Sequence, residues 1–201
     1  MAGPTWPRWL LAAALLAVAG YCVARLVVAH RVPHGYPGCH RAVDVAHLVM
    51  ALGMAVMISP VGGPVPVAGW ETAFVLIAAW FLGAARPRRG AEPSAAPTGW
   101  HGGNLHHAAA VLAMLYMITA MPADARHMST PWMAVQHTGS GPVGWILAGY
   151  FTVTAVLLGH RVLWPAPAGT RLPAVLRAPR VAAGCQVAMA VSMSYMIMPA
   201  I

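Results

Sequence analysis

Apolar residues fall in six blocks along this chain: 9–29, 44–59, 67–85, 104–121, 143–160 and 181–198. Short stretches containing Arg, Pro and Gly separate them. None of the blocks alternates with period two, as a membrane barrel strand would. A helix needs about 20 residues to cross the hydrocarbon core, with a range of about 17–25. In lipid every backbone N–H and C=O must find its partner within the chain, so the blocks predict helices. The second and fourth are short and need flanking residues to span. The fifth continues apolar to Leu163. The expected fold is all-α: a polytopic membrane protein of six transmembrane helices.

The blocks are not independent. "MAVMI" begins at Met54, "MLYMI" at Met114 and "MSYMI" at Met193, each near the end of an even-numbered block. Set on their Met-Ile ends, the three segments align without a gap. Met54 and Met57 match Met114 and Met117, and match Met193 and Met196. Seven residues before the first Met stand His47, His107 and Gln186, with Cys185 beside the last. Met50 and Met189 share a further column, where the fourth block has Ala110. Proline follows each segment, at Pro60, Pro122 and Pro199. The expectation is three pseudo-repeated helical hairpins, at about 9–60, 67–122 and 143–199, in a single membrane domain. Internal repeats in membrane proteins often frame a central site.

Composition agrees. The 201 residues are 59% hydrophobic and only 8% charged, with a mean hydropathy of +0.66. A soluble domain carries about 25% charged residues. The net charge is +8, and every basic residue is Arg. Nucleic-acid binding needs a charged aqueous face, and here the Arg residues sit in the links, so nucleic acid is not an expected partner. They read as topology signals. Arg25, Arg31 and Arg41 lie around the first link, Arg86, Arg88 and Arg89 in the third, and Arg161, Arg171, Arg177 and Arg180 around the fifth. Only Arg8 and Arg126 lie on the other side. Positive charge favours the cytoplasmic side, which predicts an inner-membrane protein with both termini extracytoplasmic. Arg8, the apolar run and Ala17-Val18-Ala19 have the form of a cleavable leader. The run continues to Ala29, however, so it is read as a retained span. Three scattered cysteines make no disulfide framework.

The repeat is where chemistry enters. Residues at i, i+3 and i+7 share a helical face. If the three faces converge, thioethers form layers of three, with His47, His107 and Cys185 about two turns below. Thioether, thiolate and imidazole are soft or borderline ligands that select Cu(I), and Met is neutral, so its burial in lipid costs little. Moderate, multi-site binding is what conduction requires. The candidate metal ligands are therefore Met54, Met57, Met114, Met117, Met193, Met196, His47, His107 and Cys185. His127, Met128, Met133, His137 and Asp124 form a weaker set in the fourth link. An alternative uses His47 and His107 as axial ligands of a b-type haem in an electron carrier. A third reading has no cofactor: Met is a flexible apolar filler, and the chain is a structural subunit of a membrane complex. Glu71, early in the third block, suits either an intramembrane site or a helix start. No nucleophile–base set or phosphate loop is evident, so an enzyme is not expected.

The segments "DVAHLVMALGMAVM", "HH…MLYM" and "CQVAMAVSMSYMIM" carry a resemblance. The chain resembles an uncharacterised family of small actinobacterial integral membrane proteins, a domain of unknown function, over most of its length. That resemblance implies a membrane fold and transfers no activity. The Met pattern is also loosely similar to that of eukaryotic copper uptake transporters, which place Met pairs on one helix from each of three subunits. Those pairs are four residues apart, whereas Met54/Met57 and its equivalents are three apart, so the likeness is one of donor chemistry.

Overall fold

The computed structural model describes residues 6–31, 38–59, 67–85, 104–119, 141–163 and 179–197. Six helices occupy them: α1 Trp6–Arg31, α2 Gly38–Ile58, α3 Val67–Ala85, α4 Asn104–Thr119, α5 Pro142–Leu163 and α6 Pro179–Ile197. All the described secondary structure is helical. Proline marks the helix boundaries. Pro7, Pro142 and Pro179 open α1, α5 and α6, where a missing N–H costs nothing because the first-turn donors have no intrahelical partner. Beyond α2, α4 and α6 stand Pro60, Pro122 and Pro199, which cannot extend a helix.

Four helices contain stretches long and apolar enough to cross a membrane: Trp6–Arg31, Arg41–Ile58, Val67–Ala85 and Pro142–His160. The apolar stretches Leu105–Thr119 and Val181–Ile197, in α4 and α6, are shorter. At 1.5 Å per residue, the 16 residues of α4 rise about 24 Å, less than the ~30 Å hydrocarbon core. The protein is thus a multi-pass, all-α integral membrane protein with the bilayer as its solvent. Its outer faces agree. Ile146, Leu76, Val156 and Trp80 are more than 60% exposed, a cost in water but not in lipid.

The chain forms two compact units. One comprises residues 1–64 and 132–201, the other 65–131. In the first, α1 packs along α2 and α5 along α6, and α6 also touches both α1 and α2. In the second, α3 packs along α4. The α3 core face is Trp70, Phe74, Ala78 and Phe81, spaced four, four and three apart as one helical stripe requires. The α5 core face is Ala148, Phe151, Thr154 and Leu158.

The α1–α2 hairpin is tied by arginine at both ends. Arg8, in the first turn of α1, donates from Nε to the carbonyl of Ile58 at the end of α2, at 3.0 Å. Arg41, early in α2, donates from Nη2 to the carbonyl of Ala29 near the end of α1, at 2.9 Å. Each helix thereby caps its neighbour's C-terminus, where carbonyls lack intrahelical donors and the dipole favours positive charge. Side-chain hydroxyls inside the spans are satisfied locally. Thr154 donates to the Tyr150 carbonyl and Ser192 to the Ala188 carbonyl, both at 2.8 Å. Thr152 and Ser194 meet across α5 and α6, Oγ to Oγ, at 3.3 Å.

Changing Arg41 to Met keeps the apolar stem and removes the cap on α1. The charge-assisted bond suggests a loss of about 1.5–3 kcal/mol. Steric-trap or denaturant unfolding in detergent measures it; an unchanged midpoint would show that the cap contributes nothing.

Candidate functional site

Charge inside an apolar body is expensive, and among the described residues a buried carboxylate faces a largely covered guanidinium. Asp44, on α2, is 2% exposed. Its Oδ2 lies 3.4 Å from Nε of Arg25 on α1, and the Arg25 side chain is 15% exposed. Pairing is what permits burial, since an isolated ion in low dielectric costs far more than its partner returns in water. The Arg25 guanidinium also lies 5.7 Å from the centroid of the Tyr21 ring. Tyr21 is one turn before Arg25 on α1, so the ring and the cation share a face. Cys22 is buried beside them. Cys185, on α6, lies within electrostatic range of Tyr21, Cys22 and Arg25, and Asp44 within range of Cys22. Both thiols are free. Tyr21 and Arg25 from α1 and Asp44 from α2 thus form one polar group within the hairpin.

A column of sulfur runs along α2 and another along α6. Met50, Met54 and Met57 on α2 and Met189, Met193 and Met196 on α6 are all buried, at 0–7% exposure. At about 100° per residue, each trio falls within a narrow arc of its helix. Cys185 shares the α6 arc. Asp44 lies roughly a third of the way around α2 from its Met column, so α2 directs its charge and its sulfur different ways. His47, one turn after Asp44, is half-buried.

The third Met pair belongs to the second unit. Met114 and Met117 on α4 are buried, at 0% and 1%. His107, on the same face of α4, is also buried. Its ring centroid lies 5.0 Å from that of Phe81 on α3, tilted by 39°, and 5.6 Å from that of His106. That is the setting of a core histidine. Glu71 is half-buried.

Within the described residues, the sequence-predicted ligands are all buried or half-buried. Met54, Met57, Met193, Met196, His47 and Cys185 fall in the first unit. Met114, Met117 and His107 fall in the second. His127, Met128, Met133, His137 and Asp124 lie outside the described residues. Among the described residues, no three His, Cys, Asp or Glu side chains stand close enough to hold a metal ion.

Sequence reasoning passed over Arg25 as a topology signal and Asp44 as the start of a span. A signal was present, since the chain has only four acidic residues and one of them opens an apolar block. Arg25 and Asp44 stand nearly symmetrically about the first link, where an antiparallel hairpin brings residues to one level.

A family model described as a domain of unknown function (DUF5134) matches residues 39–200. The chain belongs to that family. No curated protein and no solved structure matches it. The matched region includes Asp44 and both sulfur columns, whereas Cys22 and Arg25 precede it.

Replacing Asp44 by Asn strands the Arg25 charge and should cost about 3–5 kcal/mol, the usual penalty for breaking a buried pair. The double change Arg25→Met, Asp44→Leu should recover most of that loss. Unfolding midpoints of the three proteins measure the cycle; additive losses in the double variant would show that the two charges do not act as a pair.

Proposed function

We propose that this protein holds a soft metal ion, Cu(I), among the methionine thioethers of its membrane helices. One observation carries the reading. Met50, Met54 and Met57 and Met189, Met193 and Met196 are buried in the unit where α2 touches α6. Lipid-facing methionine would serve only as apolar surface, whereas inward columns give a neutral, sulfur-lined path that suits a soft monovalent cation. Met114 and Met117 repeat the pattern on α4. Cys185, on the α6 arc, adds an anionic donor at one end, with His47 a borderline donor on α2.

In this reading all six helices cross the membrane, with α4 and α6 extended by flanking residues or accommodated by a locally thinner bilayer. The three hairpins are repeats, and the membrane is the cytoplasmic one. The Arg-rich links face the cytoplasm and both termini the other side. The likeness to copper uptake transporters is one of donor chemistry, not ancestry. The haem alternative gains nothing from His107, whose ring is packed on Phe81.

The test is Cu(I) uptake by detergent-purified protein against a competing Cu(I) chelator under reducing conditions. Parent protein should retain copper. The variant with Met54, Met57, Met193 and Met196 changed to Leu, which keeps bulk and removes sulfur, should bind at least about tenfold more weakly, equivalent to ~1.4 kcal/mol. Equal uptake by both would remove the thioethers from the site. No uptake by either would leave a packed structural subunit, whose role lies with its partners.

A further inference from the structure

Positive charge gathers at one end of the α1–α2 hairpin. At the other end Arg8 is held on the Ile58 carbonyl. Here α1 finishes on His30 and Arg31, both exposed, and Arg41, early in α2, donates to the Ala29 carbonyl at 2.9 Å. That bond holds the Arg41 guanidinium against the last turn of α1. No carboxylate among the described residues neutralises Arg31 or Arg41. The first turn of α2 has no acidic residue, and Asp44, a turn further on, is engaged with Arg25 at 3.4 Å. A topology signal needs only charge on the correct side. At this end one cation is fixed in place by a hydrogen bond and a second faces outward, and the two repel unless an anion lies beside them.

The outward face of α1 leads up to that end. Leu16, Gly20, Val23, Val27 and Arg31 form one helical stripe, and all five are exposed. Open space stands beside Gly20. From Leu16 to Arg31 the rise is about 22 Å. An arginine at the end of such a stripe lays its methylene stem on the apolar surface and sends its head to the interface. This surface matches a molecule with an anionic head and an apolar tail. Free phosphate would use the cation and leave the stripe unused.

We propose that Arg31 binds the phosphate of an anionic membrane lipid, with His30 and Arg41 beside it and the lipid tail lying along Val27, Val23 and Leu16.

The phosphodiester supplies the negative charge that this end of the hairpin lacks. Arg31 meets it directly, through the paired N–H groups that suit a phosphate. Arg41 acts from behind as a second positive charge and keeps its bond to Ala29. Neutralising this end removes the repulsion between the two guanidinium groups. Bound lipid therefore holds the end of α1 against the start of α2 and stabilises the hairpin by mass action. A zwitterionic lipid offers the same tail and phosphate but adds an ammonium group, which the two arginines repel, so head charge sets the selectivity. The site uses no sulfur and no metal, and it does not depend on copper.

The test uses the full-length protein, delipidated in a neutral detergent with a metal chelator present. It is titrated with phosphatidylglycerol and, separately, with phosphatidylcholine of the same acyl chains, and native mass spectrometry counts the lipid-bound species. Phosphatidylglycerol should bind at least about fivefold more tightly than phosphatidylcholine, the equivalent of ~1 kcal/mol. Arg31→Gln, which leaves the Arg41 bond to Ala29 in place, should remove most of that preference, and Arg31→Lys should keep part of it. Arg8→Gln, at the opposite end of the hairpin, should leave the preference unchanged. Circular dichroism checks that each variant remains helical. Equal affinity for the two lipids overturns the proposal, as does an undiminished preference in Arg31→Gln. An equal loss in Arg8→Gln overturns it too, since net charge alone would then account for binding. Displacement of the lipid by millimolar inorganic phosphate would assign the cations to free phosphate and overturn the lipid as the ligand. Because metal is absent throughout, failure here leaves the copper reading untouched, and failure of copper binding leaves the lipid site untouched.

Discussion

Two opposite charges 3.4 Å apart inside an apolar hairpin constrain the first unit more than any other contact. Arg25 and Asp44 cannot separate without exposing an ion to lipid or to a packed core, and neither tolerates that. Their levels along α1 and α2 therefore fix the register of the hairpin. Arg8 on Ile58 and Arg41 on Ala29 agree with that register at the two ends. Three arginines thus hold one hairpin at three depths. With that register set, the face α2 turns away from Asp44 is determined too, and Met50, Met54 and Met57 lie there.

The second unit lacks such a tie among the residues described. It relies on shape. Trp70, Phe74 and Phe81 on α3 and His107, Val111 and Met114 on α4 are buried, and aromatic contacts such as Phe81 on His107 take the place of ionic ones. Lipid tails are as apolar as leucine, so helix association in a membrane depends on packing and on polar contacts.

Much of the helical layout was legible in the apolar blocks, because block length and the demand for internal backbone pairing leave little choice. The third block coincides with α3, 67–85, and the remaining helices differ from their blocks by a few residues. Proline positions carried the ends. That each Met group shares one face of its helix was legible in its spacing, whereas its burial was not. The charged pair was not, because a residue 25 and a residue 44 become partners only once the hairpin register is known. Hydropathy reports block membership and is silent about register.

On the function proposed, sulfur, not nitrogen or oxygen, is what this protein offers a ligand within the membrane. Copper-edge X-ray absorption of the Cu(I)-loaded protein tests it most directly. The expected result is a first shell of sulfur atoms around a reduced, low-coordinate copper ion. A first shell of nitrogen or oxygen would contradict it, placing the ion on histidines or on solvent-exposed links and leaving the buried methionines as packing alone.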